Sequence, residues 1–133
     1  MLQSDYLMRM IHELVEVVQL ALRNRRSDPE ATVQSLGIAI GNAVDIDADL
    51  FFSLEPESMV SMLRLGSFDE QLCGYIVRSM LLRATLLRQS KQVESARLAA
   101  SQAQAIAAAY GCEITESEMT EESLKDYFGS SAV

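Results

Sequence analysis

The hydrophobic pattern of this chain is helical along most of its length. Apolar residues recur every three or four positions in long runs, the spacing that places them on one face of an α-helix. Turn signals at Pro29, Pro56, Gly66 and Gly111 separate the runs. The pattern predicts an all-α protein, a compact antiparallel array of about six helices in a single domain that spans residues 1–133.

The first helix has more apolar surface than one neighbour can cover. We expect it to begin at the N-cap residues Ser4 or Asp5 and to end near Asn24, within a long N-terminal segment, 1–26. Its apolar arc spans roughly 200°, whereas a helix lying on one core needs about 100°. The arc comprises Tyr6, Leu7, Met8, Met10, Ile11, Leu14, Val15, Val17, Val18, Ala21 and Leu22. This helix should therefore either pack on two sides within the fold or contact another chain.

The candidate partner interface lies on one stripe of this helix and is formed by Tyr6, Met10, Glu13 and Val17. A surplus apolar stripe predicts self-association or a protein partner. Glu13 borders the apolar arc. Its carboxylate either reaches solvent, forms an interhelical hydrogen bond or marks the rim of the interface.

The second helix has a clear start and two glycines. Asp28 is its expected N-cap, and Pro29 occupies the first helical position. Gly37 and Gly41 lie four residues apart on one face, and each costs up to about 1 kcal/mol relative to alanine. Close approach of a neighbouring backbone, or contact with a ligand, would offset that cost.

Three alternating aspartates, Asp45, Asp47 and Asp49, resemble the opening of a calcium loop. Leu50 stands where that loop needs glycine, and Pro56 stands where it needs glutamate. The calcium interpretation fails at both positions. These carboxylates are expected to cap a short helix instead.

The next two helices are expected to meet at a glycine. The first should run from Pro56 to Gly66, with Gly66 as a left-handed C-terminal cap. Ser67 and Glu70 form a capping-box pattern at the start of the second, which should reach Gln89. This second helix carries two apolar stripes, which predict two neighbours and a central position.

Small side chains mark one face of the helix that is expected from Val93 to Tyr110. The face consists of Val93, Ala96, Ala100, Ala103 and Ala107. A short acidic helix, capped at Ser117 or Thr120, should follow, and residues 129–133 are expected to fray.

Residues 66–78 resemble the turn and second helix of a tetratricopeptide repeat. The matching positions are Gly66, Phe68, Asp69, Glu70, Gln71 and Tyr75. Gln71 departs from the small residue of the repeat, and Met59 and Met62 depart from its pattern upstream. A second register, about 25 residues away instead of the 34 of the repeat, falls on Ala84, Leu87, Ala96, Ala100 and Ala103. The resemblance implies repeat-like helical hairpins within residues 56–110, but not a long solenoid.

The first helix also resembles the opening of a family of small, uncharacterised bacterial all-helical proteins. Members begin with an Asp-Tyr-x-Met-Arg-x-Ile phrase and carry a tetratricopeptide-like hairpin further on. The matching positions are Asp5, Tyr6, Met8, Arg9 and Ile11. The resemblance covers about a third of the chain and implies a bacterial, cytoplasmic protein, without carrying over any functional residue.

Charge narrows the function classes. The net charge of −8 argues against electrostatic binding of nucleic acid. Arg23, Arg25 and Arg26 form a small basic cluster that either complements the end of the first helix or contacts a phosphate or an acidic partner. Charged residues interrupt the N-terminal apolar run, so it resembles neither a signal peptide nor a membrane span. We expect a cytoplasmic protein without nucleic-acid or membrane partners.

Reactive groups are few. Cys73 and Cys112 are expected to be reduced thiols. His12 falls on the polar arc of the first helix, where a solvated surface position is expected. No phosphate-binding loop, dinucleotide motif or nucleophile elbow is present in the sequence, and His12 shows no paired spacing with the cysteines. The sequence therefore assigns no catalytic, cofactor or metal residue and favours a non-catalytic protein.

The leading hypothesis is a helical interaction module that binds another protein, or itself, through the first helix. The competing hypothesis is a small-ligand sensor or an enzyme with a pocket between helices, lined by methionines and phenylalanines. A nucleic-acid regulator ranks third, and it would be recognised by salt-dependent binding.

Overall fold

Seven α-helices make up most of the described part of the chain. The computed structural model describes residues 2–66 and 68–130, with side chains at 5–66 and 68–129. The helices are α1 (Leu2–Asn24), α2 (Pro29–Val44), α3 (Ala48–Ser53), α4 (Pro56–Leu65), α5 (Cys73–Gln89), α6 (Val93–Tyr110) and α7 (Glu121–Ser130). Short 3-10 turns lie at Glu70–Leu72 and Glu116–Met119. The all-α prediction is confirmed, and none of these helices is long and apolar enough to cross a membrane.

The helix α5 is central, as its two apolar stripes predict. It packs against α2 and α6 and also contacts α1. Ile76 and Met80 of the main stripe are buried. Leu82 and Leu86 of the second stripe are buried as well. Residues 90–92 join α5 to α6, and so short a connection makes the two helices antiparallel neighbours.

The wide apolar arc of α1 is largely covered inside the fold. The helices α2 and α7 pack against it, and α5 also contacts it. Leu14 and Val18, near the middle of the arc, are 1% and 0% exposed. Of the two alternatives for this helix, packing on two sides within the fold is therefore the one observed. The helix begins at Leu2, ahead of the expected caps Ser4 and Asp5.

Aspartates cap α2 and α3 as expected. The Asp28 carboxylate accepts a hydrogen bond of 3.2 Å from the backbone N–H of Ala31. The Asp47 carboxylate accepts one of 3.2 Å from the backbone N–H of Leu50. A side-chain oxygen at this position satisfies an N–H that has no partner within the helix. Of the three aspartates expected to cap the short helix, only Asp47 does so; Asp45 ends α2 in the left-handed conformation, and Asp49 lies within the first turn of α3.

The two glycines expected to end helices behave differently. Gly111 has φ +69° and ends α6 in the left-handed conformation. Gly66 has φ −93°, so the prediction of a left-handed cap there is wrong; its N–H bonds the Met62 carbonyl at 3.2 Å from an extended conformation. Ser67, the expected first residue of the capping box, lies outside the described residues. Asp69 caps the 3-10 turn that precedes α5, accepting a hydrogen bond of 2.9 Å from a backbone N–H.

Gly41 allows the close backbone approach that its position predicts. A Cβ atom at Gly41 would lie 2.8 Å from the Ile46 carbonyl oxygen and 3.1 Å from the Ala48 backbone nitrogen. A Cβ atom at Gly37 would meet only side chains, Phe52 and Arg83, each at 3.6 Å. Close approach of backbone is therefore confirmed at Gly41, whereas Gly37 faces ordinary side-chain contacts.

Small side chains let α6 pack against both α4 and α5. Ala96 and Ala103 are buried as expected. Ala107 is buried too, and Ala100 is partly buried against the cluster formed by Ala84, Leu87, Ala96 and Ala99. Val93 is 50% exposed, so only its placement on the packed face is wrong. The repeat-like character of the hairpins stays a prediction.

The helix α7 closes the fold against α1. Thr120 acts as its cap, because the Thr120 hydroxyl oxygen accepts a hydrogen bond of 3.1 Å from the Ser123 backbone N–H. Leu124 and Phe128 are 1% and 0% exposed. Of the tail expected to fray, residues 129 and 130 belong to α7, and 131–133 lie outside the described residues.

A disulfide joins Cys73 and Cys112, which are 39 residues apart in the sequence. Cys73 is the first residue of α5, and Cys112 follows the glycine that ends α6. Because α5 and α6 are antiparallel, the start of one lies beside the end of the other. The prediction of two reduced thiols is wrong for this reason: the pairing depends on the packing of two helices.

Candidate functional site

The expected interface stripe on α1 is divided between core and surface. Tyr6 is 43% exposed, Glu13 is exposed and Val17 is partly buried. Met10 is only 7% exposed and belongs to the core, so it is not available to a partner and its assignment needs correction. Its position on the wide apolar arc of α1 suggested that Met10 is available to a partner, but the rest of the fold packs against this side chain and buries it. The accessible stripe is therefore narrower than expected.

A groove runs along this flank, between the C-terminal half of α1 and the first turns of α2. It has a volume of about 490 Å³. It is lined by Val17, Leu20, Ala21, Asn24, Ser27, Asp28, Ala31, Thr32 and Ser35. Leu20 is 49% exposed and is one of the groove's apolar lining residues. We call this feature the α1–α2 groove.

Leu20 was missed by the sequence interpretation, although a signal for it exists. Tyr6, Met10, Glu13 and Val17 follow one another at intervals of four, three and four residues. The next step of three reaches Leu20. Alternating steps of three and four trace the seam along which two helices pack. Extending the stripe by one step would have located the groove.

Three basic residues adjoin one end of the α1–α2 groove in the chain, and the lining at that end also includes Asp28. Arg23, Arg25 and Arg26 flank the groove residues Asn24 and Ser27 in the chain. In the described part of the chain, none of the three forms an ion pair with a carboxylate. Cations at the C-terminal end of α1 are also attracted to the negative end of its helix dipole. Three arginines and one aspartate are thus adjacent in the chain at this end of the groove, in a protein of net charge −8.

The residues considered for chemistry do not converge. His12 is exposed and pairs with Glu16 at 3.1 Å, which confirms its expected surface position. Cys73 and Cys112 are bonded to each other. Within the described ranges, no group of three or more His, Cys, Asp or Glu side chains is arranged to hold a metal ion.

One polar cluster near α7 has a structural role. Arg78 forms an ion pair of 2.9 Å with Glu118 and lies over the Tyr127 ring at 3.7 Å. Hydrogen bonds from the Thr115 backbone and side chain, with help from Arg78, hold the pKa of Glu118 below its usual value. Burial raises the pKa of Tyr127, although the nearby Arg78 opposes this. These contacts tie the C-terminal segment to α5.

The expected pocket between helices stays a prediction, although two further cavities include a methionine or a phenylalanine in their lining. Met62 and Phe68 line one of about 300 Å³ beside the end of α4. Phe52 lines a second, of about 540 Å³, together with Arg83. Arg83 was missed by the sequence interpretation, because an arginine between Leu82 and Ala84 carries no pattern that separates it from a surface charge.

Comparison with known proteins identifies no relative from which a function could be transferred. Compared with protein families, curated proteins and solved structures, the chain matches none. The resemblances stated from the sequence therefore stay predictions, and the function has to be inferred from the surfaces of the molecule itself.

Proposed function

We propose that this protein is a non-catalytic interaction module that binds an acidic, amphipathic helix of a partner protein in the α1–α2 groove. One observation carries the proposal: an apolar groove with a half-exposed leucine lies next to three arginines that have no ion-pair partner among the described residues.

The apolar part of the groove suits a helix that presents spaced hydrophobic anchors. Partner helices of this kind lay side chains at intervals of three and four into a complementary groove. Val17 and Leu20 follow the same spacing on α1, and Tyr6 extends the stripe toward the N-terminus with 43% of its surface exposed. Removing these side chains from water would favour binding.

Charge favours an acidic occupant over a second copy packed in parallel. In two copies of α1 packed in parallel, the cluster of Arg23, Arg25 and Arg26 would face the same cluster of the other copy. The like charges would repel each other and weaken the association. Elsewhere the net charge of −8 repels an acidic helix. The arginines would thus both attract the partner and set its direction in the groove.

The proposed setting follows the sequence only in part. A bacterial, cytoplasmic protein is the expectation from the resemblance. The Cys73–Cys112 disulfide weighs against the cytoplasm, because disulfides persist mainly in oxidising compartments. A thiol count on freshly isolated protein measures whether this disulfide is formed in the cell that makes the protein.

The test uses a synthetic helical peptide of leucine and glutamate as the probe, and a leucine and lysine peptide of the same pattern as its control. Fluorescence anisotropy should show binding of the acidic peptide and weaker binding of the basic one. Leu20→Glu should weaken acidic-peptide binding at least about tenfold, because it places a charge in the apolar wall. Leu65→Glu is the matched control, since Leu65 is 90% exposed and lies outside the groove.

Two results would contradict the proposal. One is equal loss of binding in Leu20→Glu and Leu65→Glu. The other is a concentration-dependent dimer in light scattering that Leu20→Glu converts to a monomer, which would assign the groove to self-association.

A further inference from the structure

A second cavity lies on a different face of α2, where α2, α3 and α5 meet. Its volume of about 540 Å³ is within the usual range for small-molecule sites. Phe52 and Ile38 supply apolar walls, and Arg83 reaches in from α5. It shares no lining residue with the α1–α2 groove, so a ligand here would bind independently of a partner in that groove.

The Arg83 side chain is held in place by packing. Its guanidinium carbon lies 4.0 Å from the centre of the Phe52 ring. Gly37 leaves room for the Arg83 side chain. A Cβ atom at Gly37 would lie 3.6 Å from the Arg83 Nε, which is an ordinary van der Waals distance. A stacked guanidinium is oriented before a ligand arrives, which lowers the entropy lost on binding.

The Arg83 cation lacks a partner within the described residues. Its Nε is buried without a hydrogen-bond acceptor, and no carboxylate pairs with the guanidinium. Burial lowers the pKa of Arg83, yet an arginine stays charged at neutral pH. Arg83 is half-buried and stacked on Phe52, and a group that supplies a negative charge would provide the acceptor that its guanidinium lacks.

Three acidic residues line the same cavity, and none of them forms an ion pair with Arg83. They are Glu30 at the start of α2 and Asp47 and Asp49 at the start of α3, and the Asp47 carboxylate already accepts the capping hydrogen bond from Leu50. The cavity thus presents one fixed positive charge and a separate set of negative charges. An anion alone would meet repulsion from the carboxylates, and a cation alone would leave Arg83 unpaired.

We propose that this cavity binds a free amino acid with an apolar side chain. Its carboxylate pairs with Arg83, its ammonium group faces the carboxylates of Glu30, Asp47 and Asp49, and its side chain packs beside Phe52. A molecule that carries both charges satisfies both parts of the cavity, which neither charge can do alone. The guanidinium provides the planar donors that a carboxylate binds best.

Three related probes separate the contributions. L-phenylalanine carries both charges, phenylpropionate lacks the ammonium group and phenethylamine lacks the carboxylate; L-leucine is a second amino acid. Calorimetric titration should show either amino acid binding at least about tenfold more tightly than the two singly charged compounds. No binding of either amino acid into the millimolar range would overturn the proposal, as would equal binding of either singly charged compound.

Variants assign the binding to Arg83. Arg83→Met keeps a long apolar side chain against Phe52, so it should fold with an unchanged or higher thermal midpoint and should lose amino-acid binding at least about tenfold. Arg88→Met is the matched control, because Arg88 is an exposed arginine on the same helix and lies outside the cavity. Amino-acid binding that survives in folded Arg83→Met would overturn the assignment.

Discussion

Replacing each glycine of α2 by alanine should change stability in opposite directions. Both glycines are buried on the same helix, and both gain up to about 1 kcal/mol of helix propensity on substitution. They differ in what the new methyl group meets. At Gly41 it would lie 2.8 Å from the Ile46 carbonyl oxygen, and at Gly37 it would lie 3.6 Å from the Phe52 and Arg83 side chains.

The expected magnitudes follow from these distances. Backbone cannot move aside as a flexible side chain can, so the contact at Gly41 should cost about 1–3 kcal/mol. After the gain in propensity, Gly41→Ala should lower the free energy of unfolding by about 1–2 kcal/mol. Gly37→Ala meets only ordinary van der Waals contact and should raise it by about 0.5–1 kcal/mol.

Urea and thermal unfolding, followed by far-ultraviolet circular dichroism, measure both effects. For a chain of this length each kcal/mol corresponds to a change of about 3–5 °C in the thermal midpoint. The disulfide must be intact in every sample. Equal destabilisation by the two substitutions, or stabilisation by Gly41→Ala, would refute the inference that backbone approaches Gly41 closely and side chains surround Gly37.

Three other predictions concern the contacts that hold the fold. Gln102→Leu should lower the free energy of unfolding by about 1–3 kcal/mol in urea titrations. The buried Gln102 amide donates hydrogen bonds to the Phe52 and Leu54 carbonyl oxygens, and the substitution leaves both of these acceptors without a donor. Replacing both Cys73 and Cys112 by serine should cost about 3–4 kcal/mol in the same assay, since the bond closes a loop of 39 residues. The pKa of Glu118 is lowered, mainly by the hydrogen bond that its carboxylate accepts from the Thr115 backbone. Glu118 should therefore contribute its full stabilisation above the ordinary glutamate pKa, and this contribution should be lost as the pH falls through the lowered value. An ordinary or raised pKa for Glu118 in an NMR titration would contradict the prediction for this residue. Unchanged stability of Gln102→Leu would contradict the role of the buried amide, and unchanged stability of the serine variant would contradict the role of the disulfide.

Much of the fold could be predicted because it depends on local patterns. The caps at Asp28 and Asp47, the turn at Gly111 and the central place of α5 all follow from the spacing of apolar residues and from capping chemistry. Gly66 shows the limit of such patterns. A glycine permits the left-handed conformation but does not require it, and here the chain leaves α4 in an extended conformation.

The parts that depend on tertiary packing could not be predicted. The bond between Cys73 and Cys112 requires that the start of α5 lie beside the end of α6. Met10 was assigned to the partner interface, although packing against the rest of the fold buries it. Arg83 became a candidate only when its surroundings were known, because a missing ion pair is a property of neighbours from other helices. Leu20, by contrast, could have been found by extending the spacing on α1.

The most direct test of the interaction surface is to map where the acidic leucine–glutamate peptide contacts the protein. Amide resonances of the disulfide-bonded protein would be followed by NMR while the peptide is added. We expect the largest shifts along the α1–α2 groove, at Val17, Leu20, Asn24, Ala31 and Ser35, with little change on α6. Shifts concentrated on another face, or no shifts at saturating peptide, would contradict the assignment of the groove as the partner site.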